Sequence, residues 1–458
     1  MEAITSYITD LGAAVALPFI IFIFALLLGQ KAGDAVRAGL LIGIGFVGIN
    51  LVIGLLGESV GPAATAMAEN FGIDLTIVDV GWPASAAIAF GTQVGALAIP
   101  VGLAVNVVML ALGLTRTLDI DLWNYWHIAF SGALVAVVTG SLPLGVAAAA
   151  LHMVILLAMA DWSQPLIEDY YGFDNISLPH GTSAPYALFA IPLNAAFERI
   201  PGLRDWKADP DTIQERFGVL GESTVLGAVL GLIIGLLGYG FDDPRADSIA
   251  ILGLAVNLAA AMYLLPKMVA VLMEALIPIS EGAQEVVRRR FPGRNVHIGL
   301  DSAIAIGSPA VIAVSLLLVP ITLLLAVIVP GNRVLPLVDL ATIPFIVCIM
   351  VPIFKGNLIR SLIGGTIAMA ATLLTATAMA PMVTDVAASV GFEAATDAAQ
   401  ISSLVDGGNP LSGLIVWLGR MEWVGIGILA VVSIAFAYLI KARVTSKREF
   451  AEATPEAN

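Results

Sequence analysis

Residues 176–194 read ISLPHGTSAPYALFAIPLN. The stretch is apolar enough to lie among hydrocarbon, yet it carries a histidine, a glycine, hydroxyls at Ser177, Thr182 and Ser183, and prolines at 179, 185 and 192. Two other segments share this character: IVDVGWPASAAIAFGTQ at 77–93 and HIGLDSAIAIGSP at 297–309. None of the three reads as a plain membrane-crossing helix. Irregular backbone at membrane depth persists only where protein or a water-filled cavity satisfies its polar groups. Interrupted helices of this kind are the best sequence pointer to a transporter's substrate site.

The surrounding chain sets that context. Of its 458 residues, 59% are hydrophobic and 12% charged, about half the charged share of an ordinary soluble protein. Apolar runs of the roughly 20 residues that a crossing helix needs recur from end to end. The fold class expected is an all-α polytopic membrane protein with about 11 transmembrane helices plus re-entrant hairpins. The expected spans are 13–29, 38–57, 94–114, 124–140, 145–161, 222–241, 249–279, 309–329, 340–354, 358–380 and 415–440. They form one membrane-embedded unit, 1–440, followed by a cytoplasmic tail, 441–458. The residues before Ala13 are acidic rather than basic and no small-residue cleavage site follows the first run, so that run reads as a retained helix.

Basic residues set sidedness, because short Lys- and Arg-bearing loops stay in the cytoplasm. Lys31 and Arg37, the stretch with Arg199, Arg204, Lys207 and Arg216, the stretch from Arg288 to Arg294, and the tail all carry them; the loops 58–79 and 381–411 have none. This alternation places the N-terminus outside and the C-terminus inside a multi-pass protein of the cell membrane. The two basic linkers are expected to face the cytoplasm. A net charge of −14 speaks against nucleic acid as a partner. Cys348 is the one cysteine and sits in an apolar run, so it reads as a small buried hydrophobe. No Walker A, GxSxG, HExxH or CxxC motif is present, and nothing calls for a cofactor or metal.

Several polar residues stand out against this apolar background. His180, with Gly181 and Thr182 beside it, offers donors and acceptors where Gly181 lets backbone come close to a ligand. His127 and Ser131 share a helix face at spacing i, i+4. Asp301 sits amid Ile, Leu and Ala, where a carboxylate costs about 3 kcal/mol by insertion scales. Either a polyol with adjacent hydroxyls compensates it or an arginine such as Arg294 pairs with it. Asp79 reads first as a helix cap and second as a ligand contact. Trp82 could stack on the apolar face of a sugar. His152 reads as structural and His297 as interfacial.

Long motifs carry a family resemblance. GIGFVGINLVIGLL at 43–56, GPAATAMAENFGIDLTIVDVGWP at 61–83, PHGTSA at 179–184, IGLD at 298–301, PGNRVLPLVDLATI at 330–343 and KGNLIRSLI at 355–363 occur in order along nearly the whole chain. Together they resemble the galactitol-type IIC permeases of the bacterial phosphotransferase system, distant relatives of the L-ascorbate permeases. The resemblance implies a homodimer, an elevator-type transport core and two re-entrant hairpins. It also implies group translocation: the polyol is phosphorylated as it enters, by a phosphocysteine on a separate IIB subunit that is charged through IIA. The chain alone is then not catalytic. In the ascorbate relatives, ligand contacts fall at positions matching His127, Ser131, His180, Gly181 and Asp301, with Ser131 and Gly181 replacing glutamines and Gly81-Trp82 matching a further contact region. Two other readings compete: an ion-coupled secondary transporter of a polyol or sugar, with Asp301 as the ion site, and a membrane enzyme.

Overall fold

The structure is a computed structural model that describes residues 13–70, 72, 75–205, 223–240, 243–290, 296–336, 338–391 and 400–453. It is predominantly helical. Six helices are long and apolar enough to cross a membrane, and five shorter apolar helices accompany them among the described residues.

The first half of the chain runs α1 (Ala13–Leu27), α2 (Ala32–Asn70), β1 (Ile77–Asp79), α3 (Gly81–Gly91), α4 (Gln93–Ala111), β2 (Thr117–Asp119), α5 (Trp126–Thr139), α6 (Leu142–Tyr171), β3 (Ile176–Ser177) and α7 (Ala187–Phe197). The second half runs α8 (Ser223–Tyr239), α9 (Pro244–Arg290), β4 (His297–Gly299), α10 (Pro309–Ile328), β5 (Val334–Leu335), two short helices within 343–353, α11 (Leu358–Ser389), β6 (Gln400–Ser402), α12 (Pro410–Gly419) and α13 (Glu422–Ala453). Both halves follow a similar order, with two helices before the first strand, a long helix between the first and second strands and another between the second and third. The sequence repeats at the joints too. AIAFGTQ at 87–93 parallels AIAIGSP at 303–309, RTLDIDL at 116–122 parallels RVLPLVDL at 333–340, and ISLPHGTSAP at 176–185 parallels ISSLVDGGNP at 401–410.

The halves are tied together by exchanged strands. One three-stranded parallel sheet has the order β5-β1-β6, the other β2-β4-β3. Each central strand comes from one half and both its flanking strands from the other. All three broken segments of the sequence open with such a strand. The all-α expectation is corrected on this point: strands of two or three residues are short, but they fix where the polar segments meet. Gly299 allows β4 to pass close to its neighbours, since a Cβ there would lie 2.9 Å from both the Asp119 backbone and the Pro179 ring. The space beside Gly299 is thus filled by the protein. The outer edge of β2 is covered by the Asn106 side chain, which donates to Thr117 O and accepts from Asp119 N, so no backbone group there is left exposed.

Helix lengths correct several expected spans. The last span begins later than expected, at Glu422–Arg443 rather than 415–440: α12 and α13 meet at a turn around Arg420, and Glu422 has a positive φ of 52°. Residues 340–354 form a 3₁₀ turn and two short helices rather than a continuous span. α5 has 14 residues, about 21 Å of rise, short of a bilayer core of about 30 Å. α2 and α9 are longer than expected, at 39 and 47 residues. α13 continues into the expected tail. Val424, Val431 and Leu439 on α13 are each about two-thirds exposed (66%, 70% and 68%), which suits a face turned to lipid.

Candidate functional site

The ends of the β2-β4-β3 sheet gather the polar residues that stood out in the sequence. β3 leads into the turn at His180, whose carbonyl accepts from Ser183 N and Ala184 N at 3.0 and 2.9 Å. Pro185 then opens a 3₁₀ turn that continues into α7. β4 leads to Asp301, which caps the next 3₁₀ turn by accepting from Ala303 N at 2.8 Å. β2 leads through Asp121 and Asn124 into α5 and His127.

Three aligned parallel strands bring these ends together. His180 Nε2 lies 3.4 Å from Asp301 Oδ1. Its Nδ1 accepts from Thr182 N at 3.2 Å, so in the neutral ring the proton sits on Nε2 and faces Asp301. The His127 and His180 rings are 5.0 Å apart, edge to face. His127 Nδ1 meets Asp406 Oδ2 at 2.7 Å, with both side chains fully buried. That contact orients the ring and leaves Nε2 as an acceptor, 3.4 Å from the Thr182 hydroxyl. Phe345 stacks on the other side of His180. A narrow recess of about 10 Å³, room for about one water, lies beside His180 and is lined by Asp119, Asp121, Asn124 and Tyr125 with an apolar wall that includes Met153 and Leu156.

His127, His180, Thr182 and Asp301 thus come together, and the described residues give Asp301 His180 rather than an arginine as its partner; Arg294 lies outside them. Ser131 shares the face of His127 but bonds His152 Nδ1 at 2.8 Å and Ile128 O. It does not reach the His180–Asp301 pair. Gly181 is close to the site for a different reason from the one expected. A Cβ there would lie 2.4 Å from His127 Cγ, so the glycine makes room for the histidine ring, and its carbonyl accepts from Asn409 Nδ2. Trp82 belongs to the other sheet's end, where its backbone N–H donates to Asp339 Oδ1, away from the histidines. Asp79 has the cap-like role, accepting from Gly81 N and Asp339 N, but it is buried rather than at the surface. His152 is buried as expected. Cys348 is buried, with Sγ 3.3 Å from Phe345 O.

Sequence reasoning passed over Asp121, Asn124, Asp406 and Asn409. Asp121 and Asn124 hide in an aromatic run, DLWNYW, that resembles an interfacial belt. Asp406 and Asn409 lie in DGGNP, a plain turn signal. The parallel with ISLPHGTSAP was the signal that could have found them. Among the described residues no group of three His, Cys, Asp or Glu side chains is arranged to hold a metal ion.

Comparison with known proteins fits this arrangement into a family. Residues 7–397 match the family described as the PTS system sugar-specific permease component. The galactitol-specific EIIC component of the PTS system in Escherichia coli (strain K12) is 44% identical over 410 residues, which is 90% of this chain and 89% of the relative. Its counterpart in Escherichia coli O157:H7 gives the same figures. A further permease IIC component of the K12 strain is 40% identical over 427 residues, covering 93% of this chain and 95% of that one. With a match across most of its length, and with several membrane-length apolar helices, this chain belongs to the family of sugar-specific permease components of the PTS system.

Proposed function

We propose that the protein carries galactitol or a closely related alditol across the cell membrane and presents it to a separate IIB subunit, whose phosphocysteine phosphorylates it. The observation that carries this reading is the His180–Asp301 contact at the meeting of three strand ends, beside a polar recess. An alditol has a hydroxyl on every carbon and no charge. Asp301 offers such a ligand a carboxylate acceptor, His127 Nε2 a second acceptor, and Thr182 a hydroxyl that works either way. A carboxylate takes hydroxyl hydrogen bonds roughly twice as strongly as a neutral acceptor does. The 44% identity to galactitol-specific components supports this choice of polyol. Gly181 and Ser131 serve the same site from behind, by fitting and steadying the ring of His127 and the helix that bears it.

In this reading the working unit is a homodimer in the membrane, with about 11 crossings counted with the shorter helices, the N-terminus outside and the C-terminus in the cytoplasm. The exchanged sheets hold the transport core, which moves as a body in an elevator-like step. Residues 1–440 are the permease and 441–458 the tail. The basic linkers dock IIB on the cytoplasmic face; of these, 206–222 and 291–295 lie outside the described residues. IIA acts only through IIB.

Uptake into vesicles, with and without purified IIB and phosphoenolpyruvate, tests the reading. The expected result is that galactitol phosphate accumulates only when both are present. Accumulation of free galactitol driven by a proton or sodium gradient would replace this reading with ion-coupled transport.

A further inference from the structure

Asp121 lies two residues beyond β2 and is 4% exposed. Its Oδ2 accepts from the Asn124 amide. Its Oδ1 is buried with no hydrogen-bond partner, and the side chain lines the recess beside His180. Asp301 is near enough for the two carboxylates to repel. The aspartate of the parallel stretch in the second half, Asp339, lies four residues beyond β5, and both its oxygens are occupied by backbone N–H groups, those of Trp82, Leu404 and Val405. Each of the two parallel stretches thus carries a buried aspartate just past its strand, and only Asp339 has both oxygens filled by backbone donors. A buried oxygen left without a donor is costly, and such exceptions need an explanation. A polyol supplies what is missing, a neutral row of hydroxyl donors that can reach two carboxylates at once and relieve their repulsion.

We propose that Asp121 is a second substrate-binding carboxylate, which accepts a hydrogen bond from an alditol hydroxyl different from the one held by Asp301. This rests on the alditol reading of the site. The acidic side chains of Asp119 and Asp121, both lining the recess, also select against anionic ligands, including a phosphorylated product.

Equilibrium binding of labelled galactitol and a series of deoxy-galactitols to the purified full-length protein tests this, with Asp121→Asn and Asp301→Asn alongside the wild type. Asp121→Asn is expected to weaken galactitol about 10-fold or more. One deoxy analogue, lacking the hydroxyl that Asp121 holds, is expected to bind wild type and Asp121→Asn equally. A role confined to shaping the loop would instead weaken every analogue alike. Unchanged galactitol affinity in Asp121→Asn, with affinity lost in Asp301→Asn, overturns this inference and leaves the alditol site standing. No binding of any alditol to the wild type overturns both. If Asp121→Asn does not fold, infrared difference spectra of Asp301→Asn at saturating galactitol decide the matter. A remaining substrate-induced shift of a carboxylate band is expected, and its absence overturns the proposal.

Discussion

The two sheet ends use the same device to different effect. At the end of β5-β1-β6, Asp79 accepts from Gly81 N at 3.0 Å and Asp339 N at 2.8 Å, and Asp339 accepts from Trp82 N, Leu404 N and Val405 N at 2.8, 2.9 and 3.2 Å. Here the carboxylates knot three strand ends together. At the end of β2-β4-β3, Asp121 keeps one oxygen without a hydrogen-bond partner among the described residues, and Asp301 meets Ala303 N and the His180 ring. A carboxylate saturated by backbone donors has nothing left for a ligand; one that is only partly satisfied does. The comparison therefore sets a saturated, structural end against the end proposed to bind substrate within one repeated architecture.

The largest effect should come from the saturated end. Asp339→Asn turns an acceptor of three backbone N–H groups into a poorer one. Hydrogen bonds to a charged group contribute about 1.5–3 kcal/mol each, so a stability loss of about 3 kcal/mol or more is expected in thermal unfolding of the detergent-purified protein. A loss below about 1 kcal/mol would break the comparison. Asp301→Asn should do the reverse. Galactitol binding is expected to weaken by about 1.5–3 kcal/mol, or roughly 10- to 150-fold, while the unfolding temperature stays nearly constant. Unchanged affinity would take Asp301 out of the site.

Gly181→Ala probes the seam between the two ends. Its Cβ would strike the base of the His127 ring, and overpacking of this kind costs about 1–3 kcal/mol. Both folded yield and galactitol affinity should fall; a fall in neither would mean that the ring has room to shift. Ser131→Ala removes the hydroxyl that bonds His152. It should cost about 1 kcal/mol of stability and leave affinity unchanged, whereas a selective loss of affinity would return Ser131 to the ligand.

The smallest effect lies away from both sheets. Arg360 bonds Glu198 at 2.7 Å and, with Lys355 nearby, holds its carboxyl below the ordinary glutamate value. A depressed carboxylate stabilises the folded state above its unfolded pKa, and that contribution is lost as pH falls through the folded value. Glu198 is partly exposed, so the effect is under about 1 kcal/mol. Glu198→Gln should therefore flatten the acid limb of the stability profile slightly below about pH 4.5 and leave binding untouched. An equal acid limb in both proteins would dismiss the pair.

Much of this was legible in the sequence because membrane burial makes polar residues conspicuous. His127, His180 and Asp301 stood out against Leu, Ile and Ala, and each lies near the end of the β2-β4-β3 sheet. The strands were not legible, since two or three residues carry no measurable alternation. Without them, the meeting of residues 117–121, 176–182 and 297–301 could not be foreseen. Asp121 was masked by the tryptophans beside it, and Asp406 by the glycines that make its segment look like a surface turn. Gly181 was read through the wrong neighbour: a glycine signals close approach, but its sequence does not say of what. The start of the span expected over 415–440 was misplaced because apolar residues flank the turn at Arg420 on both sides.

The exchange of strands between halves has a consequence for how the chain is made. β2 and β3 have no partner strand within the first half, and their shared partner, β4, is synthesised 180 residues after β2 begins. β1 likewise waits for β5 and β6. A growing chain inserted into the membrane up to its midpoint therefore holds three strands with unsatisfied edges, and the sheet that begins with β1 closes only once residue 402 has been made. Contacts this distant in sequence are late and slow to form. Synthesis that stops between α8 and β6 leaves an intermediate whose polar edges are open at membrane depth, which is the kind of surface a quality-control protease or insertase recognises.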